Sequence, residues 1–122
     1  ESGTLFTVPA LTTAAQTITL PAAGADTLGC TYTFVVIGAT AAKDFNVLGA
    51  GSDQIIAATP DGAGNNTAVA QGYDKIGFDA TAPLGSCFTV TCISVAAATA
   101  WHAEDVIDGI AVNTTGINLA ND

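Results

Sequence analysis

Alternation of apolar residues with threonines over residues 16–37 constrains the fold more than any other feature of the sequence. Ile18 and Leu20 alternate with threonines, a proline and two glycines then interrupt the pattern, and Tyr32 and Phe34 alternate with threonines again. A period of two is that of a β-strand with one buried and one solvated face. This stretch therefore predicts a β-hairpin with an apolar face and a threonine-rich face, and the latter is a candidate contact surface.

Short β-prone runs separated by turn residues continue along the rest of the chain. A Pro-Asp-Gly sequence within residues 59–67 fits a β-turn and predicts an exposed loop. Residues 103–110 are the one place where a helical turn fits the sequence. The total of roughly eight to ten short strands predicts an all-β, single-domain β-sandwich of jelly-roll-like topology. Beyond the hairpin, we expect strands at residues 4–8, 44–48, 54–57, 67–70, 75–79, 86–95, 99–103, 110–112 and 117–119.

The first 14 residues predict an extended N-terminal arm, followed by the sandwich domain over residues 15–122. The β-prone run in the arm ends at Pro9, and a proline confines such a strand to a sheet edge or a chain terminus. The strand either pairs with its own sheet or adds to the sheet of a neighbouring subunit. The candidate assembly residues are Thr4, Leu5, Phe6, Thr7 and Val8.

Composition limits the core and the class of partner. The chain has 122 residues, 49% of them hydrophobic, but many of these are alanine and none is methionine. We therefore expect one domain with a thin core of β-branched residues and a few aromatic rings. The formal net charge of −9 opposes binding to a phosphate backbone, so nucleic acid is not an expected partner.

Few residues are charged, which favours a protein that packs against copies of itself or lies outside cells. Only 11% of the residues are charged, and no apolar run has the roughly 18 residues that a transmembrane helix needs. We therefore expect no membrane span. The chain begins at Glu1 without a methionine, which indicates a processed or partly observed product, with a cleaved leader and further upstream residues both open.

Three cysteines leave the disulfide pairing open. Cys87 and Cys92 lie in one predicted strand at about 16 Å from each other, beyond the limit of about 7 Å between bonded Cα atoms. Cys30 with Cys92 is the first candidate pair, because each shares a strand face with apolar residues. Cys30 with Cys87 is the competitor, since both follow a Leu-Gly turn, and three reduced core thiols are the remaining alternative.

No residue pattern predicts catalysis, a metal or a cofactor. His102 shares a strand face with Glu104, but a nucleophile would have to come from Ser86, Ser94 or a cysteine, none of which lies in a recognisable motif. The single histidine and the absence of a Cys-x-x-Cys pair argue against zinc. The acidic residues do not match an EF-hand and are better explained as a solvated edge. We expect no enzyme activity.

Carbohydrate could be attached to the protein or bound by it. Asn65 and Asn113 each begin an N-glycosylation sequon, in a predicted loop and in the polar tail. Sandwich modules also bind sugars by stacking them on exposed aromatic rings, and Trp101 is the candidate glycan contact. A secreted carbohydrate-binding module is therefore the alternative function.

The segments Thr-Ile-Thr-Leu-Pro-Ala-Ala-Gly, Thr-Tyr-Thr-Phe-Val-Val and Asp-Phe-Asn-Val-Leu are followed by a Gly-Ser and a strand that leads to Trp101. In this order, over about residues 15–103, the chain resembles β-structured bacteriophage virion proteins, namely decoration, head-fibre and tail-associated modules. The resemblance implies a non-enzymatic, self-assembling structural protein, often trimeric, and carries over no catalytic residue. The cysteines and the missing methionine depart from that pattern and favour a secreted relative such as an extracellular filament subunit.

The expected function is thus structural. The expected partners are copies of the chain, as a trimer or a filament, together with a viral capsid shell or glycans, and the expected location is extracellular or on a virion surface. Exchange of the N-terminal strand between subunits is the expected route of assembly.

Overall fold

A computed structural model describes residues 2–11, 13–38, 43–60, 66–68, 72–78, 82–107 and 117–120 of the chain. They form ten strands and one short 3₁₀-helix, Ala97–Thr99. The strands are β1 Thr4–Val8, β2 Gln16–Thr19, β3 Thr31–Val36, β4 Phe45–Leu48, β5 Ile55–Pro60, β6 Asn66–Ala68, β7 Lys75–Phe78, β8 Cys87–Cys92, β9 Trp101–Ile107 and β10 Ile117–Ala120.

Two mixed sheets pack against each other, which confirms the predicted all-β sandwich. The first sheet has the strand order β1-β3-β8-β9-β5-β6 and the second has the order β10-β7-β4-β2. Three of the strand pairs are parallel: β1 with β3, β2 with β4, and β5 with β9. A jelly roll is built from antiparallel strands, so these parallel pairs give the sandwich a different topology from a regular jelly roll.

The hairpin expected over residues 16–37 is wrong, although both of its strands exist. β2 pairs with β4 in the four-stranded sheet, whereas β3 lies between β1 and β8 in the six-stranded sheet. The connection between them therefore crosses from one sheet to the other, and the Asp53 carboxylate accepts a hydrogen bond of 2.7 Å from the Ala23 N–H on the way. Alternation identifies the buried face of a strand, and both strands turn that face toward the same core whichever sheet they join.

The core is an aromatic cluster that joins the two sheets. Phe34 and Phe88 of the six-stranded sheet lie 5.2 Å apart between ring centroids, and Phe88 lies 4.9 Å from Phe78 of the four-stranded sheet. Phe45 closes the cluster at 5.9 Å from Phe34. Valines and isoleucines belong to the same buried cluster, as expected.

Several strand limits differ from those expected. The chain stays extended through Thr59 and Pro60, which pair with β6, so residues 59, 60, 66 and 67 of the predicted loop belong to strands. The helical turn expected within residues 103–110 is wrong for residues 103–107. These residues belong to β9, which extends to Ile107 and pairs with β8. The strand expected at residues 110–112 lies outside the described residues.

The N-terminal strand pairs with its own sheet in this structure. β1 lies parallel to β3, with Val8 opposite Val36, and the Val8 side chain is only 1% exposed. Phe6 packs against the core from the same strand. Of the two alternatives for residues 4–8, the structure therefore shows the intramolecular one, with β1 as an edge strand of the sandwich.

Replacement of Phe34 should test the aromatic cluster as the main stabilising contact. Phe34→Ala removes a fully buried ring that contacts Phe6, Phe45 and Phe88, so the free energy of unfolding should fall by about 3–5 kcal/mol in denaturant titrations. Leu84→Ala is the control: Leu84 is 62% exposed and its truncation should change the same quantity by less than about 0.5 kcal/mol. Similar losses in both variants would contradict this assignment.

Candidate assembly surface

An apolar groove opens between the two sheets where β1 and β2 form their edges. Both strands stand last in their sheets, at the same end of the sandwich. The groove has a volume of about 200 Å³ and takes its walls from both sheets. Its lining residues are Phe6, Ile18, Thr19, Leu20, Pro21, Tyr32 and Phe34.

The backbone of β1 has one edge that no described strand covers. The Val8 carbonyl oxygen accepts a hydrogen bond of 2.9 Å from the Ile37 N–H, so the polar groups of Val8 point toward β3. Because successive residues of a strand point their N–H and C=O groups to opposite sides, those of Leu5 and Thr7 point away from β3. Leu5 is also 60% exposed. β1 is therefore able to accept a further strand.

β2, in the other sheet, also has one backbone edge that no described strand covers. The Gln16 N–H donates to the Asp44 carbonyl oxygen at 3.0 Å, and the Leu20 N–H donates to the Leu48 carbonyl oxygen at 2.8 Å. The N–H groups of Thr17 and Thr19 consequently point away from β4, toward the edge that no described strand occupies. Two open edges thus lie on either side of one groove.

Aromatic rings form the wall of the groove on the side of the six-stranded sheet. Phe6 stacks on Phe34 with a centroid distance of 5.0 Å and an interplanar angle of 11°, and it meets Tyr32 at 6.2 Å in a tilted arrangement. Phe6 is only partly buried, so part of its ring remains available at the groove. Stacked and tilted aromatic contacts of this kind add to the energy of simple area burial.

Burial also changes the chemistry of Tyr32. Burial raises the pKa of the Tyr32 phenol above its usual 10.0, and the nearby Cys30 raises this pKa further when its thiol is ionised. The Tyr32 phenol in the wall of the groove therefore stays uncharged at every pH near neutrality. The other lining residues carry no ionisable group.

The predicted threonine-rich face is divided between the two sheets. Thr33 and Thr89 share a hydrogen bond of 2.9 Å between their hydroxyls on the outer face of β3 and β8, and Thr31 stands opposite Thr91 beside them. Thr17 and Thr19 belong to β2 in the other sheet. The threonines that the predicted hairpin placed on one face therefore lie on two separate surfaces.

None of the three cysteines is part of a disulfide bond in the structure. Cys30 and Cys92 are joined by a backbone hydrogen bond of 2.9 Å from the Cys92 N–H to the Cys30 carbonyl oxygen. Cys87 lies at the other end of β8, opposite Val35. The structure thus brings the first candidate pair together and separates the competing pair, Cys30 with Cys87.

Trp101 cannot be the exposed glycan contact that was expected, because its side chain is 0% exposed. It packs against Tyr32 at a centroid distance of 6.0 Å, and its Nε1 atom has no hydrogen-bond partner among the described residues. The position follows from β9, which places Trp101 opposite Cys92 on the inner face of the sheet. The carbohydrate-binding alternative therefore loses its main contact residue.

Two of the residues considered for catalysis, Glu104 and Ser86, have hydrogen-bond partners elsewhere in the structure. Glu104 accepts a hydrogen bond of 3.2 Å from the Thr91 hydroxyl on the outer face of the sheet. The buried Ser86 donates to the Pro83 carbonyl oxygen at 2.8 Å. Among the residues that the structure describes, no three histidine, cysteine or acidic side chains are grouped to hold a metal ion.

Two further predictions concern glycosylation and a membrane span. The sequon residues Asn65 and Asn113 lie outside the described residues. Nowhere in the described ranges is there a helix of sufficient length and hydrophobicity to cross a lipid bilayer.

The sequence predicted the strand at residues 4–8 but not the half of the groove that β2 forms. Ile18 and Leu20 were assigned to a hairpin, which hides the open edge of β2. The available signal was Pro21, because a proline directly after a strand is typical of an edge strand.

A comparison of the chain with protein-family models, curated proteins and solved structures finds no match.

Stability at alkaline pH should report the burial of Tyr32. The folded chain keeps this phenol protonated to a higher pH than the unfolded chain, so its contribution to the free energy of unfolding is complete below pH 10.0 and is lost as the pH rises further. Denaturant titrations from about pH 9 to about pH 11.5 should show this fall, and Tyr32→Phe should show a smaller one. An equal fall in both proteins would contradict the assignment.

Proposed function

We propose that this protein is a non-enzymatic structural subunit that assembles with copies of itself, on a virion surface or in an extracellular filament. The observation that carries the proposal is the pair of open edges on β1 and β2, with one apolar groove between them. Open strand edges pair readily with strands of other chains, and proteins that remain monomeric usually block them with charges, bulges or covering segments.

The distribution of charge supports a second copy as the partner. The chain carries a net charge of −9, so two copies repel each other over most of their surfaces. The strands β1 and β2, by contrast, contain only threonine, glutamine and apolar residues. Contact at these edges therefore brings two copies together where the repulsion is smallest, without placing a charge in the interface.

The geometry of the edges suits an added strand. A strand that pairs with β1 or β2 would lie about 4.8 Å from it and would receive the outward N–H and C=O groups of Leu5 and Thr7, or of Thr17 and Thr19. Alternate side chains of that strand would point toward the groove. Apolar side chains there would cover Phe6 and Ile18, which are only partly buried in the single chain.

Exchange of β1 between subunits is the second route of assembly. β1 is joined to β2 by residues 9–15, and the contacts of Phe6 and Val8 with β3 would be the same if β1 came from a neighbour. In that case the interface is the existing β1–β3 ladder. The two routes differ in whether the outward N–H groups of β1 and β2 take part.

The resemblance of the sequence to bacteriophage decoration and head-fibre modules supports the virion surface as the place of assembly. The cysteines favour the filament. A virion surface and a filament require the same property of the protein: a small sandwich domain that binds to other subunits through the edges of its own sheets.

Proline substitutions at the open edges should separate assembly from folding. Thr7→Pro with Thr19→Pro removes two outward N–H groups that no ladder among the described strands uses, so the sandwich should fold while edge pairing is lost. The matched control is Thr7→Ala with Thr19→Ala, which keeps both N–H groups. Light scattering after size exclusion and electron microscopy should show oligomers for the wild type and the control, and monomers for the proline variant.

Folding of each variant is checked by its β-sheet circular dichroism and its melting temperature. Oligomers should increase with salt, because salt screens the repulsion between acidic copies. Persistent oligomers in the proline variant would favour strand exchange over edge pairing. A wild-type protein that is monomeric at every concentration and salt level, with no particle or filament in the microscope, would refute the proposal.

A further inference from the structure

A glycine bulge places Cys30 directly opposite Cys92. Gly29 has a φ of +82°, and its N–H donates to the Cys92 carbonyl oxygen at 2.8 Å. The Cys30 N–H closes the preceding turn on the Thr27 carbonyl oxygen at 2.9 Å, and the Cys92 N–H donates back to Cys30 at 2.9 Å. This is the pattern of a bulge whose first residue is a left-handed glycine, and the bulge fixes which residue faces Cys92.

The two cysteines face each other across an antiparallel strand pair, a placement that allows a disulfide. Opposite residues of a hydrogen-bonded antiparallel pair have Cα atoms about 5.5 Å apart, and disulfides span Cα distances of about 4.4–6.8 Å. Cys92 is on the inner face of β8, where it is 1% exposed, and Cys30 packs against the same core. Both side chains therefore lie on one side of the sheet.

The third cysteine does not compete for this bond. Cys87 stands opposite Val35, five residues along β3 from Cys30, which corresponds to about 16 Å. Along β8, half-buried residues alternate with buried ones, and Cys87 belongs to the half-buried, outer-face set. Its thiol is thus separated from the pair by both distance and sheet face.

We propose that Cys30 and Cys92 form a thiol-oxidation site, which closes to an intrachain disulfide in the presence of a small-molecule disulfide such as oxidised glutathione. This inference concerns the single chain and does not depend on assembly. It assigns a covalent link between the turn before β3 and the end of β8, two central strands of the six-stranded sheet.

The difference in exposure between Cys30 and Cys92 determines which thiol reacts first with glutathione. The half-buried Cys30 loses its proton and attacks one sulfur of oxidised glutathione, which forms a mixed disulfide and releases one glutathione thiolate. The buried Cys92 then loses its proton and attacks the Cys30 sulfur, and the second glutathione leaves. Two protein thiols are oxidised and one glutathione disulfide is reduced to two thiols, so electrons and protons balance.

Trypsin offers a direct assay, because Lys43 and Lys75 are the only basic cleavage sites in the chain. Cleavage gives fragments 1–43, 44–75 and 76–122, with Cys30 in the first and the other two cysteines in the last. The folded protein is equilibrated with glutathione buffers from reducing to oxidising, free thiols are alkylated, and the digest is analysed by mass spectrometry without reductant. We expect fragments 1–43 and 76–122 to appear linked, and a reductant to separate them.

Single replacements identify the bonded residues. Cys87→Ala should keep the linked fragments, whereas Cys92→Ala and Cys30→Ala should each abolish them. Because Cys30 is only half-buried, its replacement leaves the core filled and remains informative if Cys92→Ala folds poorly. The melting temperature of the wild type and of Cys87→Ala should rise on oxidation, and that of Cys30→Ala should not.

Two results would overturn the proposal. One is the absence of linked fragments from the folded wild type in the most oxidising buffer. The other is a link between these fragments that survives in a folded Cys92→Ala or disappears in a folded Cys87→Ala.

Discussion

The packing of Phe34 and Phe88 against Phe45 and Phe78 is the contact on which the rest of the structure depends. These rings come from four strands in two sheets, and no other set of described ring contacts joins the sheets through buried aromatic side chains. Alanine has little bulk to bury, so in a chain rich in alanine each large ring contributes strongly to the area that the two layers bury.

The open groove beside β1 and β2 is a second consequence of the small number of large apolar side chains. Phe6 extends the aromatic cluster outward by stacking on Phe34, but the narrow edge strands leave its ring and Ile18 only partly covered. An added strand at this end would cover both side chains, and neither edge strand carries a charge. Under the proposed self-assembly, a second copy of the chain would supply that strand.

Glycine and turn chemistry determine the local geometry where the chain changes sheets. The left-handed conformation of Gly29 ends the crossing from β2, begins β3 with a bulge and sets Cys30 opposite Cys92. The Asp53 carboxylate holds the same crossing through the Ala23 N–H. One short connection therefore positions both the aromatic wall of the groove and the pair of thiols.

The sequence by itself determined where the strands lie and which face of each is buried, because a period of two reports the environment of successive side chains. It predicted the all-β sandwich and the strand at residues 4–8, and it named Cys30 and Cys92 as the first candidate pair, which stays a prediction because the structure holds no disulfide. Only the tertiary structure decided that β2 joins β4 and not β3, that Trp101 is buried, and that Phe6 and Ile18 meet at one groove. Alternation shows the direction of a side chain, but the neighbour of a strand depends on which distant segments satisfy its backbone hydrogen bonds, and no local pattern records that choice.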